Sequence, residues 1–67
     1  MPEGTVKLFN PDRGYGFIKP DAAAADVFFH VSDVAEQAAL LPGQRVQYDM
    51  GVDKKTGKGK AVEVRRV

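Results

Sequence analysis

Glycine, proline, asparagine and aspartate interrupt this chain so often that only short strands fit between them. Turn-forming clusters stand at Asn10-Pro11-Asp12-Arg13-Gly14, at Pro20-Asp21, at Pro42-Gly43 and across Gly51 to Gly59. Each residue type favours a turn for its own reason: glycine takes positive φ, proline presets its own φ, and asparagine and aspartate bond back to nearby backbone. Between the clusters lie runs rich in Thr, Val, Ile, Phe and Tyr, which predict strands over Glu3 to Phe9, Tyr15 to Lys19, Asp26 to Val31, Gln44 to Met50 and Lys60 to Val67. In the fourth, Val46, Tyr48 and Met50 alternate with Arg45, Gln47 and Asp49, so the first set is expected inside. In the fifth, Val62 and Val64 are expected to face the core. Ser32 to Glu36 has the form of a helix start, with Asp33 placed to cap it and Glu36 completing a capping box. Val34, Ala38 and Leu41 would share its buried face, and Pro42-Gly43 would stop it. The pattern predicts an all-β domain over residues 1–67, five antiparallel strands with a short helical turn between the third and fourth. Closing such a sheet into a barrel removes its exposed edges.

Size limits what the barrel can contain. With 67 residues and no cysteine, the chain has one small core and no disulfide staple. Such a core supplies roughly 3–5 kcal/mol, which leaves little room for a deep substrate pocket. The absence of cysteine suits a reducing cytoplasm, where we expect the protein. Met1-Pro2-Glu3-Gly4 shows no apolar run of a secretory signal, and no stretch has the length of apolar sequence that a membrane helix needs.

Strand two is the informative element. Side chains alternate faces along a strand, so Tyr15, Phe17 and Lys19 point one way and Gly14, Gly16 and Ile18 the other. Strand three has the same parity, with Phe28 and His30 on one face and Val27, Phe29 and Val31 on the other. Paired as a hairpin, the two strands would set Phe28 and His30 beside Tyr15 and Phe17. A barrel interior takes only one face, and Ile18, Val27 and Phe29 suffice to fill it. The remaining rings are therefore expected outside, where an aromatic patch marks a binding surface. Rings at this spacing suit the bases of an unpaired strand, with a lysine such as Lys19 meeting phosphate. An aromatic patch on a small barrel also suits a peptide partner.

Charge is unevenly placed. The net charge is +1, yet residues 1–53 hold four basic against eight acidic side chains, and residues 54–67 hold six basic against Glu63 alone. A basic segment of this kind points to a polyanionic partner.

The motif Arg13-Gly14-Tyr15-Gly16-Phe17-Ile18 resembles the first ribonucleoprotein motif, and Val27-Phe28-Phe29-His30-Val31 resembles the second. In RNA-recognition-motif domains these two occur in the opposite order. With Gly4-Thr5-Val6-Lys7-Leu8-Phe9-Asn10 ahead of them and Pro42-Gly43-Gln44-Arg45-Val46 behind, the chain resembles the bacterial cold-shock domain family from end to end. The resemblance implies a five-stranded OB barrel that binds single-stranded RNA and DNA with modest sequence preference, as an RNA chaperone or a transcription regulator. It places the binding surface on Lys7, Phe9, Asn10, Arg13, Tyr15, Phe17, Phe28 and His30, with Lys58 and Lys60 near the flanking basic loop. Leu8 and Val31 occupy binding positions where the family usually has tryptophan and phenylalanine. The loop Glu36 to Leu41 lacks the phenylalanine usual before the fourth strand. Strict alternation puts Leu8 beside Val6 and Phe9 beside Lys7, whereas the family needs both Leu8 and Phe9 near ligand, which requires a bend or bulge.

Catalysis and cofactors find little support. His30 is the only histidine and has no partner of the usual kind for a metal. Ser32 lies two residues on, but nothing completes a triad. Gly14 and Gly16 do not extend to a dinucleotide fingerprint, and Gly51 to Lys58 lacks phosphate-loop spacing. We expect no enzyme activity, no cofactor, no metal, no small-molecule substrate and a monomer.

Overall fold

The computed structural model describes residues 2–22, 24–35 and 39–67. Five strands follow one another: β1 Glu3–Asn10, β2 Tyr15–Pro20, β3 Val27–His30, β4 Arg45–Val52 and β5 Gly59–Arg66. They form one antiparallel sheet in the order β3-β2-β1-β4-β5. Its two ends, β3 and β5, pack against one another. A parallel bridge between Val34 and Val64 and an ion pair from Lys60 to Asp33 at 2.9 Å join them there. The all-β architecture expected from the sequence is the one observed.

The core is built from the inward side of every strand: Val6, Ile18, Phe29, Val46, Tyr48, Ala61 and Val64, closed by Val34 and Leu40. Burying each of the larger side chains contributes roughly 1.5–3 kcal/mol, so a domain of this size depends on nearly all of them. Burial pushes the Tyr48 phenol above its ordinary range, which keeps it neutral.

Two bulges set which residues join this core. In β1, Val6 pairs with Ile18 and Leu8 with Phe17, so Lys7 has no partner of its own. In β5, Glu63 and Val64 together oppose Tyr48, between the pairs Gln47–Arg65 and Asp49–Val62. Glu63 takes the positive φ of 50° that such a bulge uses. An extra residue reverses the in-out alternation beyond it. Ala61 and Val64 are therefore the buried pair of β5 and Val62 is only half-buried, a correction to the expectation for Val62. Met50 is also corrected: it is 55% exposed. Its cross-strand partner is Ala61 and its diagonal neighbour Gly59, and neither has the bulk to cover it.

The segment after β3 differs from the expected helix. A 3₁₀ turn spans Val31–Asp33, and its cap is His30, whose side chain accepts from the Ser32 N–H, not Asp33. Val34 then leaves in extended conformation toward Val64. Leu40 is 2% exposed and Leu41 74%, the reverse of the expected face. Glu36 and Ala38 lie outside the described residues.

Packing dictates glycine at position 16. A Cβ on Gly16 would lie 2.7 Å from Phe29 Cζ and overlap the Leu8 carbonyl oxygen. Phe29 fills the core at the point where β2 has no side chain. Overpacking costs typically 1–3 kcal/mol, and here backbone as well as ring must move. Gly16→Ala should therefore remove most of the stability, seen as a loss of the cooperative unfolding transition in thermal circular dichroism.

On the surface, the Arg45 guanidinium on β4 donates to Asp21 Oδ1 and Oδ2 at 2.7 and 2.6 Å, to Thr5 Oγ1 at 3.1 Å and to Glu3 Oε1 at 3.4 Å. The hydrogen bonds from Arg45 hold the Asp21 carboxyl below its ordinary value of 3.8. A carboxyl lowered on folding contributes stability above its unfolded value and loses it as pH falls through the folded one. Denaturation midpoints of wild type and Asp21→Asn should therefore separate at neutral pH and converge below the ordinary aspartate range.

Candidate nucleic-acid interface

The outward side of β2 and β3 carries the rings. Tyr15 pairs with His30 and Phe17 with Phe28 across the ladder, while Gly16–Phe29 and Ile18–Val27 face inward. Tyr15 and Phe28 are stacked with centroids 5.9 Å apart at 29°. Phe17 meets both edge-on, 6.2 Å from Tyr15 and 5.9 Å from Phe28. All three rings are half-buried, against fully buried Phe29 on the other side. Mutual contact holds each ring in place and leaves its outer surface open.

The bulge at Lys7 resolves the parity of β1. Leu8 comes to the outer face opposite Phe17 and is 45% exposed. Phe9 comes inward opposite Gly16, where its ring stacks on Phe29 at 5.9 Å and 8°. Leu8 thus extends the ring platform, while Phe9 lies beneath it as a half-buried support. One extra residue makes strict alternation fail here, and the hydrophobicity of both side chains hides that from the sequence.

His30 is held by its own turn. Its Nδ1 accepts from the Ser32 N–H at 3.1 Å and lies 2.9 Å from Ser32 Oγ. With Nδ1 as acceptor, the neutral ring carries its proton on Nε2, available as a donor. Val31 follows as the first residue of the 3₁₀ turn, half-buried, its N–H bonded to the Gly14 carbonyl at 2.7 Å. Gly14 has φ 73°, a conformation that favours glycine. Asn10 shapes the turn leading to it: its side-chain oxygen accepts from the N–H groups of Asp12 and Arg13 at 3.1 and 3.3 Å. That assigns the Asn10 carbonyl to turn geometry and leaves its amide N–H groups open.

The cations singled out in the sequence for the binding surface divide into two groups. Lys7 is paired with Asp26 at 2.9 Å, and Lys60 with Asp33, an oxygen with no other partner. Asp33 pushes the Lys60 ammonium upward from its ordinary range. Arg13, Lys19 and Lys58 are exposed and make no ion pair among the described residues. Lys19 continues the Tyr15–Phe17 row, opposite Thr5. Lys58 stands in the β4–β5 loop and lines a groove bordered by Phe28. Sequence reasoning missed the carboxylates of Asp26 and Asp33, because their partners lie far away along the chain. Asp53 and Thr56, which share the groove with Phe28 and Lys58, fall in the stretch Gly51 to Gly59 that the sequence marked only as a turn.

Among the described residues, no three His, Cys, Asp or Glu side chains are grouped to hold a metal ion. None of their helices is long and apolar enough to cross a membrane.

The arrangement is a shallow aromatic floor with cations around it. Residues 2–67 match the family described as the 'Cold-shock' DNA-binding domain. The chain is similar to cold shock protein CspA of Rhizobium meliloti, 49% identical over 67 residues and 97% of each chain. It is also similar to probable cold shock protein y4cH of Sinorhizobium fredii, 48% identical over 87% of each. A cold shock-like protein of Aquifex aeolicus is 43% identical over 91% of this chain and 90% of its own. With the two ribonucleoprotein-like motifs brought side by side on one face of a five-stranded β fold, and the match running along nearly the whole chain, this protein belongs to the cold-shock domain family of nucleic-acid-binding domains.

Proposed function

We propose that the protein binds single-stranded RNA and DNA by stacking unpaired bases on Tyr15, Phe17, Phe28 and His30, with Leu8 as an aliphatic contact at the platform's edge. Arg13, Lys19 and Lys58 supply phosphate contacts. The cellular role that follows is RNA chaperone or transcription regulator in the cytoplasm, acting as a monomer without catalysis. The observation that carries this reading is the cluster of three rings, each about 6 Å from the others, on the side of the sheet away from the core. In a duplex the base faces are stacked on one another and closed to such rings; in an unpaired strand they are open.

Base–aromatic stacking contributes roughly 1–3 kcal/mol per base. Phe17→Ala combined with Phe28→Ala should weaken binding of a labelled oligouridine or oligo-dT well over tenfold. The thermal transition should persist, because neither ring belongs to the buried core. Unchanged affinity in the folded double variant would refute the stacking role.

Salt dependence tests the electrostatic part. Each phosphate contact on a single strand contributes about 0.7 to the slope of log affinity against log salt. Three unpaired cations beside the rings predict a slope near −2, smaller than the count of basic residues alone would suggest. Lys7 and Lys60 already hold carboxylates. Anisotropy titrations across a range of salt concentrations give the slope directly, and a flat response would contradict phosphate contact.

A further inference from the structure

The ring platform does not end at Phe28. Beyond it lies a groove of about 340 Å³ whose walls are Phe28, Asp53, Thr56, Lys58 and Gly59. Two distant segments make it, β3 on one side and the loop between β4 and β5 on the other. The loop is fixed by its own hydrogen bonds. Asp53 N–H donates to the Lys58 carbonyl at 2.8 Å and Gly57 N–H to the Asp53 carbonyl at 2.7 Å. Lys55 N–H donates to Asp53 Oδ1 at 2.9 Å and Lys58 N–H to Thr56 Oγ1 at 3.3 Å. Asp53 Oδ2 and the Thr56 hydroxyl proton have no hydrogen-bond partner among the described residues.

Gly59 borders the groove with backbone alone. A Cβ there would meet only Met50 Cε at 3.4 Å and the Gly51 carbonyl at 3.9 Å. Neither backbone conformation nor packing requires glycine at this position, unlike Gly16.

The chemistry of the walls is mixed in an informative way. Phe28 offers an apolar surface continuous with the stacking rings, and Lys58 offers a cation. Asp53 is the unexpected member, since a carboxylate repels phosphate. Its Oδ1 closes the turn on the Lys55 N–H and its charge is felt by Lys60, while Oδ2 stands ready for a hydrogen-bond donor on the ligand. A nucleotide has such donors on the base edge and, in RNA, at the ribose 2′-hydroxyl.

We infer that the groove is a selective subsite. It seats one unpaired nucleotide beside those stacked on the rings, with Lys58 toward its phosphate and Asp53 accepting a hydrogen bond from it. Asp53 is then a specificity-determining residue, and Gly59 meets the ligand with backbone alone. This inference rests on the reading that unpaired strands bind the ring platform.

Oligouridine is the suitable probe because each nucleotide carries only two donors, uracil N3–H and the 2′-hydroxyl. Three labelled strands of about eight nucleotides separate them: unmodified, 2′-deoxy and N3-methylated. Wild type should bind one modified strand about tenfold or more weakly, the size of a charge-assisted hydrogen bond, and which strand it is identifies the donor. Asp53→Asn, which keeps the acceptor for the Lys55 N–H, should shrink that difference several-fold. Gly59→Val should remove the part of it that arises in the groove, and the comparison with wild type cancels effects of the modifications on stacking elsewhere. If Gly59→Val loses its thermal transition, Gly59→Ala takes its place. Equal responses of wild type and both folded variants to all three strands overturn the subsite while leaving the platform intact. Failure of wild type to bind unmodified oligouridine overturns the platform reading as well.

Discussion

The inward contact of Phe29 against the bare backbone of Gly16 fixes the geometry on which everything else rests. The ring occupies the space that a Cβ on β2 would need, and Phe9 stacks on it from β1. This contact sets the register between β2 and β3, because a slip of one residue would drive Phe29 outward. With the register fixed, Tyr15 must face His30 and Phe17 must face Phe28. The core and the outer rings are thus two sides of one packing decision.

Bulges adapt a regular ladder to a small closed shape. At Lys7 the extra residue lets Leu8 join the outer surface while Val6 and Phe9 both remain inside. At Glu63 it lets Ala61 and Val64 both reach the core. A strictly alternating strand would have to choose in each case. The cost is local: an unpaired residue in β1 and a non-glycine at positive φ in β5.

The electrostatics show why a list of basic residues overstates a binding surface. Lys7 and Lys60 are as basic as Lys19 in the sequence, but their ammonium groups lie at carboxylates brought close by the fold. Asp26 and Asp33 flank β3, so both pairings anchor that edge strand as well as tempering charge at the rings. Arg45, with Asp21 and Glu3, does comparable work for the β1–β4 side.

Much of this was legible in the residues themselves. Turn chemistry placed the strand boundaries within a residue or two, and the parity of β2 and β3 separated core from platform, because both depend on local backbone preference and a period of two. Val62 and Met50 were not legible, because each depends on what lies across the sheet: a bulge, or a neighbour too small to give cover. The cap of the turn after β3 is local, the His30 ring accepting from the Ser32 N–H, but the Asp33–Glu36 spacing pointed to Asp33 instead. Residue order alone set which stretches were able to form a strand and which faces were apolar. Where alternation breaks and which cations stay free emerged on folding, because both are settled by contacts between segments that meet only when the sheet closes.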